Sequence, residues 1–122
     1  MSKTILTVDD SRTMREMLRI ALEQASFRVI QAEDGVHGLA VLDAGERPDV
    51  IVTDLNMPRM DGFGFIKAVR GDDRRRFTPI LVLTTEMDPD KKQRARSAGA
   101  TGWIVKPFEP ARLVDVIRRV SA

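Results

Sequence analysis

Strand-like and helix-like segments alternate along the whole chain, and this order constrains the fold more than any other feature of the sequence. Five short runs are rich in β-branched residues, as strands buried on both faces of a sheet are: residues 5–8, 28–30, 50–52, 80–83 and 103–105. Segments with helical periodicity lie between and after them. The alternation predicts an α/β fold in which five helices cover both faces of a doubly wound, five-stranded parallel sheet.

The first and last predicted helices have apolar stripes, and all the helices have plausible ends. The first is expected to begin after Ser11 or an adjacent residue as N-cap. Its apolar residues recur at helical spacing: Met14, Met17, Leu18, Ala21, Leu22 and Ala25. The last helix has Pro110 in its first turn and repeats the pattern at Leu113, Val116, Ile117 and Val120. The middle helices are expected to end near Gly45, Gly71 and Gly99.

The helix between Asp88 and Gly99 differs from the others because it has few apolar side chains. Only Ala95 and Ala98 can serve as its anchors on the core. A helix with so little apolar surface is weakly held, so we expect it to shift at a low cost in free energy.

Length and composition exclude several classes of protein. With 122 residues, 43% of them hydrophobic, the chain can bury one core without a disulfide or metal staple, and we expect a single domain over residues 1–122. The absence of cysteine excludes disulfide scaffolds and thiolate metal sites, and the single histidine, His37, excludes a multi-histidine metal cage. No apolar run approaches the ~20 residues that cross a bilayer. We therefore expect a cytoplasmic protein with no membrane partner.

The charge pattern gives no indication of nucleic-acid binding. The formal net charge is only +2, and the densest basic stretch, residues 70–76, is interrupted by Asp72 and Asp73. We therefore interpret this stretch as a solvated connection between two elements.

Acidic, hydroxyl and basic side chains follow four of the predicted strands. Strand one is followed by Asp9 and Asp10, strand three by Asp54, strand four by Thr84, Thr85 and Glu86, and strand five by Lys106. Parallel strands end at the same edge of a sheet, which is where open α/β folds bind ligands. Taken singly, the Asp9-Asp10 pair could only cap a helix, Asp54 could begin a turn, and Lys106 could be a surface lysine. Their convergence on one edge favours a shared site.

Three crowded carboxylates need a cation or shared protons at neutral pH. Oxygen ligands without histidine or cysteine select a hard ion, and a site with room for water and a phosphoryl oxygen suits Mg²⁺. An aspartate in such a site can attack a phosphoryl donor as a nucleophile. Lys106 and a threonine hydroxyl would then stabilise the phosphoryl oxygens. The pattern predicts phosphoryl transfer to Asp54.

Five motifs, in order, resemble those of the response-regulator receiver domains of two-component signalling: Val8-Asp9-Asp10-Ser11, Asp54-Leu55-Asn56-Met57-Pro58, Met60-Asp61-Gly62, Leu83-Thr84-Thr85 and Trp103-Ile104-Val105-Lys106-Pro107-Phe108. The resemblance covers essentially the whole chain. It implies a flavodoxin-like sheet with strand order 2-1-3-4-5, and a stand-alone CheY-like chemotaxis receiver of the alphaproteobacterial type.

The resemblance also implies a role for each site residue. Asp54 is the phosphoacceptor; Asp10 ligates Mg²⁺ directly, Asp9 does so through water, and the Asn56 backbone carbonyl completes the protein ligands. Thr84 moves towards the phosphate and Lys106 pairs with it, while a cis peptide bond joins Lys106 to Pro107. Asn56 and Glu86 flank the path of attacking water and tune dephosphorylation.

The output surface is expected on the weakly held helix, the last strand and the last helix. Trp103 stands where the family usually has tyrosine or phenylalanine that rotates on activation; its simpler interpretation is a packed core indole. With Thr84, the expected switch and output residues are Lys91, Ala95, Trp103 and Val114. On activation, Val114 is expected to join a hydrophobic patch beside the indole.

Several functions are compatible with these residues. The leading hypothesis is a monomeric module that takes a phosphoryl group from a chemotaxis-type histidine kinase and changes its affinity for a target such as the flagellar motor switch. The alternative within this class is a phosphate sink or shuttle that does not bind the motor. A flavin binder is disfavoured because the acidic edge repels phosphate, and a Mg²⁺-dependent phosphohydrolase would need a cap over its substrate.

Overall fold

All five predicted strands form and pair in parallel in the order β2-β1-β3-β4-β5, as the resemblance implied. The computed structural model describes residues 2–122. The strands are β1 Thr4–Val8, β2 Arg28–Ala32, β3 Val50–Thr53, β4 Ile80–Thr84 and β5 Gly102–Val105. Each predicted strand lies within the observed one, which extends one or two residues further because main-chain pairing continues beyond the apolar run.

Five α-helices follow the strands, and several begin or end at the capping residues that the sequence predicts. The helices are α1 Arg12–Gln24, α2 Gly35–Asp43, α3 Gly62–Arg70, α4 Pro89–Ala98 and α5 Pro110–Val120, with a short 3-10 turn at Asp73–Arg75. The Ser11 side chain accepts a hydrogen bond from the Met14 amide at 3.2 Å, which confirms it as the N-cap of α1. Gly99 ends α4 in the left-handed conformation, with φ 118°.

Two apolar cores lie on the two faces of the sheet. Buried side chains of α2, α3 and α4, among them Phe65, Ile66 and Ala95, belong to the first core. Side chains of α1 and α5, among them Leu18 and Ile117, belong to the second. This division makes the sheet doubly wound and leaves the edge at the strand carboxyl ends to the loops that carry the polar residues.

The buried stripe of α1 is narrower than the sequence predicts. Leu18, Ala21 and Leu22 are buried, but Met17 is 48% exposed, so its assignment to the buried stripe is wrong. Ile20, on the same helix, is 45% exposed. The helix packs on the sheet through a narrow face, and helical spacing alone does not fix how far an apolar stripe extends round the cylinder.

Helix α4 is as sparsely anchored as its sequence indicates. Ala95 is its only buried residue, and Ala98 packs against the first core while partly exposed. The helix has a further contact, because the Arg94 guanidinium lies over the Phe63 ring of α3, 4.0 Å from the ring centroid. Within residues 2–122, no helix combines the length and the apolar character that a membrane span requires.

Candidate functional site

The register between β1 and β3 places the predicted acidic residues side by side. Val8 pairs with Thr53, and the Asp54 amide donates to the Val8 carbonyl at 2.9 Å. Asp9 and Asp54 therefore leave the sheet as neighbours. One carboxylate oxygen from each of Asp9, Asp10 and Asp54 lies within 4.8 Å of the others. Asp9 and Asp54 are buried and Asp10 is exposed, so the cluster opens to solvent on the Asp10 side.

Lys106 reaches this cluster from β5 and contacts two of its members. Its Nζ donates to Asp9 Oδ2 at 2.8 Å and to Asp54 Oδ2 at 3.0 Å. The Lys106 amide also donates to the Thr84 carbonyl at 2.8 Å. The peptide bond to Pro107 is cis, as the resemblance implied. One cation thus bridges the two carboxylates that are most shielded from water.

Burial and charge act against each other on this ion-pair network. Burial raises the pKa of Asp9 above its ordinary value, although the hydrogen bonds from Lys106 and the Ser11 amide favour its ionised form. Burial also disfavours the Lys106 cation, but contacts with Asp9 and Asp54 outweigh it and raise the Lys106 pKa. Both pKa values are raised, with opposite effects on charge. The Lys106 cation is favoured because it has two carboxylate partners, whereas Asp9 shares its one cation with Asp54 and its neutral form is favoured. We conclude that Lys106 stays protonated and that the crowded carboxylates lack positive charge.

Thr84 and Glu86 lie where the loop after β4 begins. Thr84 is fully buried, and its Oγ1 accepts from the Glu86 amide at 3.3 Å. The Glu86 carboxylate accepts from Lys91 Nζ at 2.9 Å, and this contact lowers the Glu86 pKa. An ion pair therefore connects the loop that carries Thr84 to helix α4.

The loop of residues 55–61 between β3 and α3 is packed closely against Asp54. The Leu55 amide donates to Asp54 Oδ1 at 2.7 Å, and the Gly62 amide donates to the Leu55 carbonyl at 2.8 Å. A Cβ on Gly62 would lie 2.3 Å from the Asp54 carbonyl oxygen, so the close approach requires glycine. Asn56, on this loop, is exposed.

The expected output residues differ in burial in this structure. Trp103 is partly buried and packs against the first core, whereas Val114 is 9% exposed and belongs to the second. The patch of Val114 beside the indole is expected in the activated protein and stays a prediction. Lys91 is exposed, and Ala95 is buried beneath α4. A cavity of about 160 Å³ lies beside the indole and is lined by Lys92, Ala95, Arg96, Ala100, Thr101, Gly102 and Trp103.

Sequence reasoning did not identify an ion pair beside the site. Arg59, on the loop of residues 55–61, contacts Asp34, the N-cap of α2, through Nε at 2.7 Å and Nη2 at 3.0 Å. The two residues are 25 positions apart. Neither belongs to a pattern that pairs them, so only the fold brings them together. His37 accepts a hydrogen bond from the Glu33 amide at 3.1 Å and is exposed.

The acidic cluster fits a magnesium ion by its donor chemistry. Asp9, Asp10 and Asp54 supply only oxygen, which is the ligand type of hard divalent cations. Because the carboxylates outnumber the one lysine, the cluster needs a further cation. Because Asp10 is exposed, a cation can enter from that side. Three carboxylates also leave coordination positions for water and a phosphoryl oxygen, as Mg²⁺ sites usually do.

Comparisons with known proteins agree with this geometry. The family described as response regulator receiver domain matches residues 5–118. The chain is 39% identical to chemotaxis protein CheY1 of Helicobacter pylori over 117 residues, covering 95% of this chain and 94% of the relative. It is 48% identical to the solved chemotaxis response regulator CheY4 of Vibrio cholerae, with a TM-score of 0.92 and coverage of 98% and 99%.

A second similar solved structure contains a metal. The receiver domain of sensor histidine kinase PA1611 from Pseudomonas aeruginosa was solved with a magnesium ion coordinated in its active site cleft; it is 27% identical, with a TM-score of 0.88 and coverage of 99% and 98%. The alphaproteobacterial subgroup stays a prediction. By sequence, fold and site geometry, the chain belongs to the response regulator receiver domain family, as a CheY-like chemotaxis regulator of two-component signalling.

Proposed function

We propose that the chain is a phosphorylation-activated switch that accepts a phosphoryl group on Asp54 from a chemotaxis-type histidine kinase, with Mg²⁺ as cofactor. The observation that carries the proposal is the convergence of Asp9, Asp10 and Asp54 within 4.8 Å, with Lys106 bonded to two of them. A site built only for stability would not crowd three carboxylates round one cation.

In the proposed reaction, an Asp54 carboxylate oxygen attacks the phosphorus atom of a phosphohistidine. The new oxygen–phosphorus bond forms as the phosphorus–nitrogen bond breaks, and the leaving imidazole takes up a proton. Asp9, Asp10, Asp54 and the Asn56 backbone carbonyl would hold the metal, whose charge would offset that of the carboxylates and of the phosphoryl oxygens. The Lys106 ammonium, 3.0 Å from Asp54 Oδ2, can follow the charge as it passes to a phosphoryl oxygen.

We propose that water hydrolyses the acyl phosphate and that two residues at least partly exposed to solvent tune this step. Asn56 lies two residues after Asp54, and Glu86 lies two residues after Thr84. The Glu86–Lys91 ion pair restrains the Glu86 side chain in the unphosphorylated protein. We propose that the protein catalyses its own phosphorylation and dephosphorylation and is not otherwise an enzyme.

Phosphorylation adds about −1.5 to −2 charges at neutral pH. We propose that this charge draws the Thr84 hydroxyl and Lys106 towards Asp54. Movement of Thr84 breaks its contact with the Glu86 amide and loosens the start of α4, which Ala95 alone anchors by burial. Trp103 then repacks against α4 beside the existing cavity. The changed surface, with Lys91, Trp103 and Val114, is the proposed docking site for a target.

The favoured target is the flagellar motor switch, and a phosphate sink for the chemotaxis kinase is the second candidate. Both need the same site, and they differ only in what the output surface binds.

We propose a cytoplasmic monomer with one receiver domain over residues 1–122. Nucleic acid is not an expected partner, because Asp72 pairs with Arg74 and Arg75 and neutralises part of the basic stretch. A small-molecule phosphohydrolase is a weaker alternative.

Phosphoryl labelling and partner capture test the proposal. Acetyl phosphate with Mg²⁺ should modify the wild-type protein and leave Asp54→Asn unmodified; equal labelling of both would exclude Asp54 as the acceptor. Beryllofluoride with Mg²⁺ should perturb Trp103 fluorescence. In a pull-down from cell lysate, motor-switch protein in the beryllofluoride sample supports motor binding, whereas kinase alone supports the sink. Turnover of a small phosphomonoester would favour the phosphohydrolase.

A further inference from the structure

The loop of residues 55–61 carries Asn56, whose backbone carbonyl is a proposed protein ligand of the metal, beside the carboxylates. We propose that Arg59 is a positioning residue for metal binding: by its ion pair with Asp34, it holds this loop in the shape that presents the Asn56 carbonyl. The inference rests on the proposed function, since it concerns the same Mg²⁺ site.

The Arg59–Asp34 contact is well suited to fixing a loop. The guanidinium contacts both carboxylate oxygens, at 2.7 and 3.0 Å, and such two-point contacts define orientation as well as distance. The Asp34 side chain is only 3% exposed, and its Oδ1 also accepts from the His37 amide at 2.8 Å. Asp34 is therefore immobilised by the first turn of α2, and Arg59 attaches the loop to that fixed point.

The loop needs such an attachment because its backbone is strained at Arg59. Arg59 has φ 63°, a left-handed conformation that side chains other than glycine and asparagine rarely adopt. The next residue packs closely too, since a Cβ on Gly35 would lie 2.8 Å from Met60 Cγ and 3.0 Å from the Met60 carbonyl oxygen. The ion pair with Asp34 opposes relaxation of this residue.

Asn56 lies between two anchored residues of the loop, Leu55 and Arg59. The first anchor is at Leu55, whose carbonyl accepts from the Gly62 amide while Gly62 packs on the Asp54 carbonyl. In the middle, Arg59 and Met60 pack on the start of α2. Loss of the second anchor leaves the loop more conformations, of which only a fraction presents the carbonyl to a metal. The apparent dissociation constant rises in inverse proportion to that fraction.

Electrostatics alone predicts the opposite sign, which makes the inference testable. Removal of Arg59 leaves Asp34 unpaired and makes the surroundings of the acidic cluster more negative. A more negative site binds a divalent cation more tightly. Weaker binding would therefore report the positioning role and could not come from the change in charge.

Mn²⁺ binding, followed by electron paramagnetic resonance of the free ion and competed by Mg²⁺, measures the effect without phosphorylation. The variants are Arg59→Asn, which tolerates the left-handed backbone, and Asp34→Asn with Arg59→Asn, which conserves net charge. Asparagine at 34 can still accept from the His37 amide and cap α2. Arg59→Lys keeps the charge and loses the two-point contact. The matched control is Arg28→Asn, since Arg28 is similarly exposed, at 57% against 55%, and pairs with Glu46 away from the site.

We expect both asparagine variants to raise the Mn²⁺ and Mg²⁺ dissociation constants about three- to tenfold, with Arg59→Lys in between and Arg28→Asn unchanged. Unchanged or tighter binding in the charge-conserving double variant would overturn the positioning role. Should the double variant fail to fold, Arg59→Lys alone decides, because wild-type affinity in that variant contradicts the need for a two-point contact. If wild type itself binds no Mn²⁺, or if Asp54→Asn binds as tightly as wild type, the proposed metal site fails as well. The two failures are therefore distinguishable.

Discussion

Replacement of Arg94 by methionine should open helix α4 selectively. Methionine keeps a long apolar side chain and a good helix propensity, so the change chiefly removes the guanidinium that lies 4.0 Å from the centroid of Phe63. Phe63 is 7% exposed, so the contact is partly shielded from water. Since Ala95 is the only buried residue of α4, this contact is a large part of what attaches the helix to the domain.

The size of the effect follows from the geometry. A cation over an aromatic face contributes about 0.5–2 kcal/mol, depending on how far it is desolvated. For a half-shielded pair we take about 1 kcal/mol, which changes an equilibrium constant about fivefold. The population of molecules with α4 detached should rise by that factor, and α4 amides that exchange through local opening should exchange about five times faster with deuterium.

Hydrogen exchange followed by mass spectrometry or NMR measures this change helix by helix. Arg118→Met is the matched control, because Arg118 lies 5.9 Å from the Phe27 centroid on α5, which Leu113, Val114 and Ile117 anchor. The control should leave α4 exchange unchanged. If Arg94→Met does not accelerate α4 exchange, the cation–π anchor contributes nothing. If Arg118→Met accelerates it equally, α4 opens only when the whole domain unfolds.

Three further changes test the site. Asp9→Asn should raise the free energy of unfolding in EDTA by about 1 kcal/mol at neutral pH, because burial raises the Asp9 pKa; urea denaturation across pH measures it. Lys106→Met should lower the free energy of unfolding in EDTA by about 2–4 kcal/mol and slow labelling of Asp54 by acetyl phosphate. Gly62→Ala should cost about 1–3 kcal/mol and impair labelling, since its Cβ would lie 2.3 Å from a carbonyl oxygen, whereas Gly64→Ala, 3.3 Å from a flexible methionine side chain, should do neither.

The sign of the pH dependence at Asp9 is opposite to that of an ordinary salt-bridged carboxylate. A raised pKa means that the folded state holds its proton over a range where the unfolded state has lost it. The stability that Asp9 contributes is therefore lost as pH rises from its unfolded pKa through its folded pKa. The advantage of Asp9→Asn should grow over that range and vanish in acid. An advantage that is constant with pH would point to packing as its cause.

The other two changes have equally definite opposing results. Unaltered stability of Lys106→Met in EDTA would mean that the lysine does not compensate the buried carboxylates. If Gly62→Ala and Gly64→Ala have the same stability and labelling as wild type, the loop can move away from the Asp54 carbonyl at little cost in free energy.

The sequence predicted the fold and the central cluster well because both follow from short-range patterns. Strand runs set the sheet, and residues directly after strands must meet at one edge, which places Asp9, Asp54 and Lys106 together. Contacts that depend on how a helix is rotated were not predictable in this way. Met17 falls on the apolar spacing of α1 but lies beyond the edge of the contact face, and it is exposed.

Long-range pairs between loops were also outside what a pattern can show. Arg59 contacts Asp34 only because the β2–α2 and β3–α3 connections meet above the same edge of the sheet. Arg94 similarly lies over Phe63 because α3 and α4 are neighbours on the first face. Arginines in a loop or on an exposed helix face usually indicate solvation, so no local signal distinguished the contacts of Arg59 and Arg94.

The register of β1 against β3 has an evolutionary consequence. Asp54 directly follows the Thr53–Val8 pair, and adding one residue within β3 would turn its side chain to the opposite face of the sheet. The connections at the other edge, residues 44–49 and 71–79, are under no such restriction, since they precede β3 and β4 at the amino ends of these strands, where no site residue lies. Insertions and deletions should therefore accumulate there during divergence. Related chains can then change the surface at this edge of the sheet while the phosphoryl chemistry at the opposite edge stays the same.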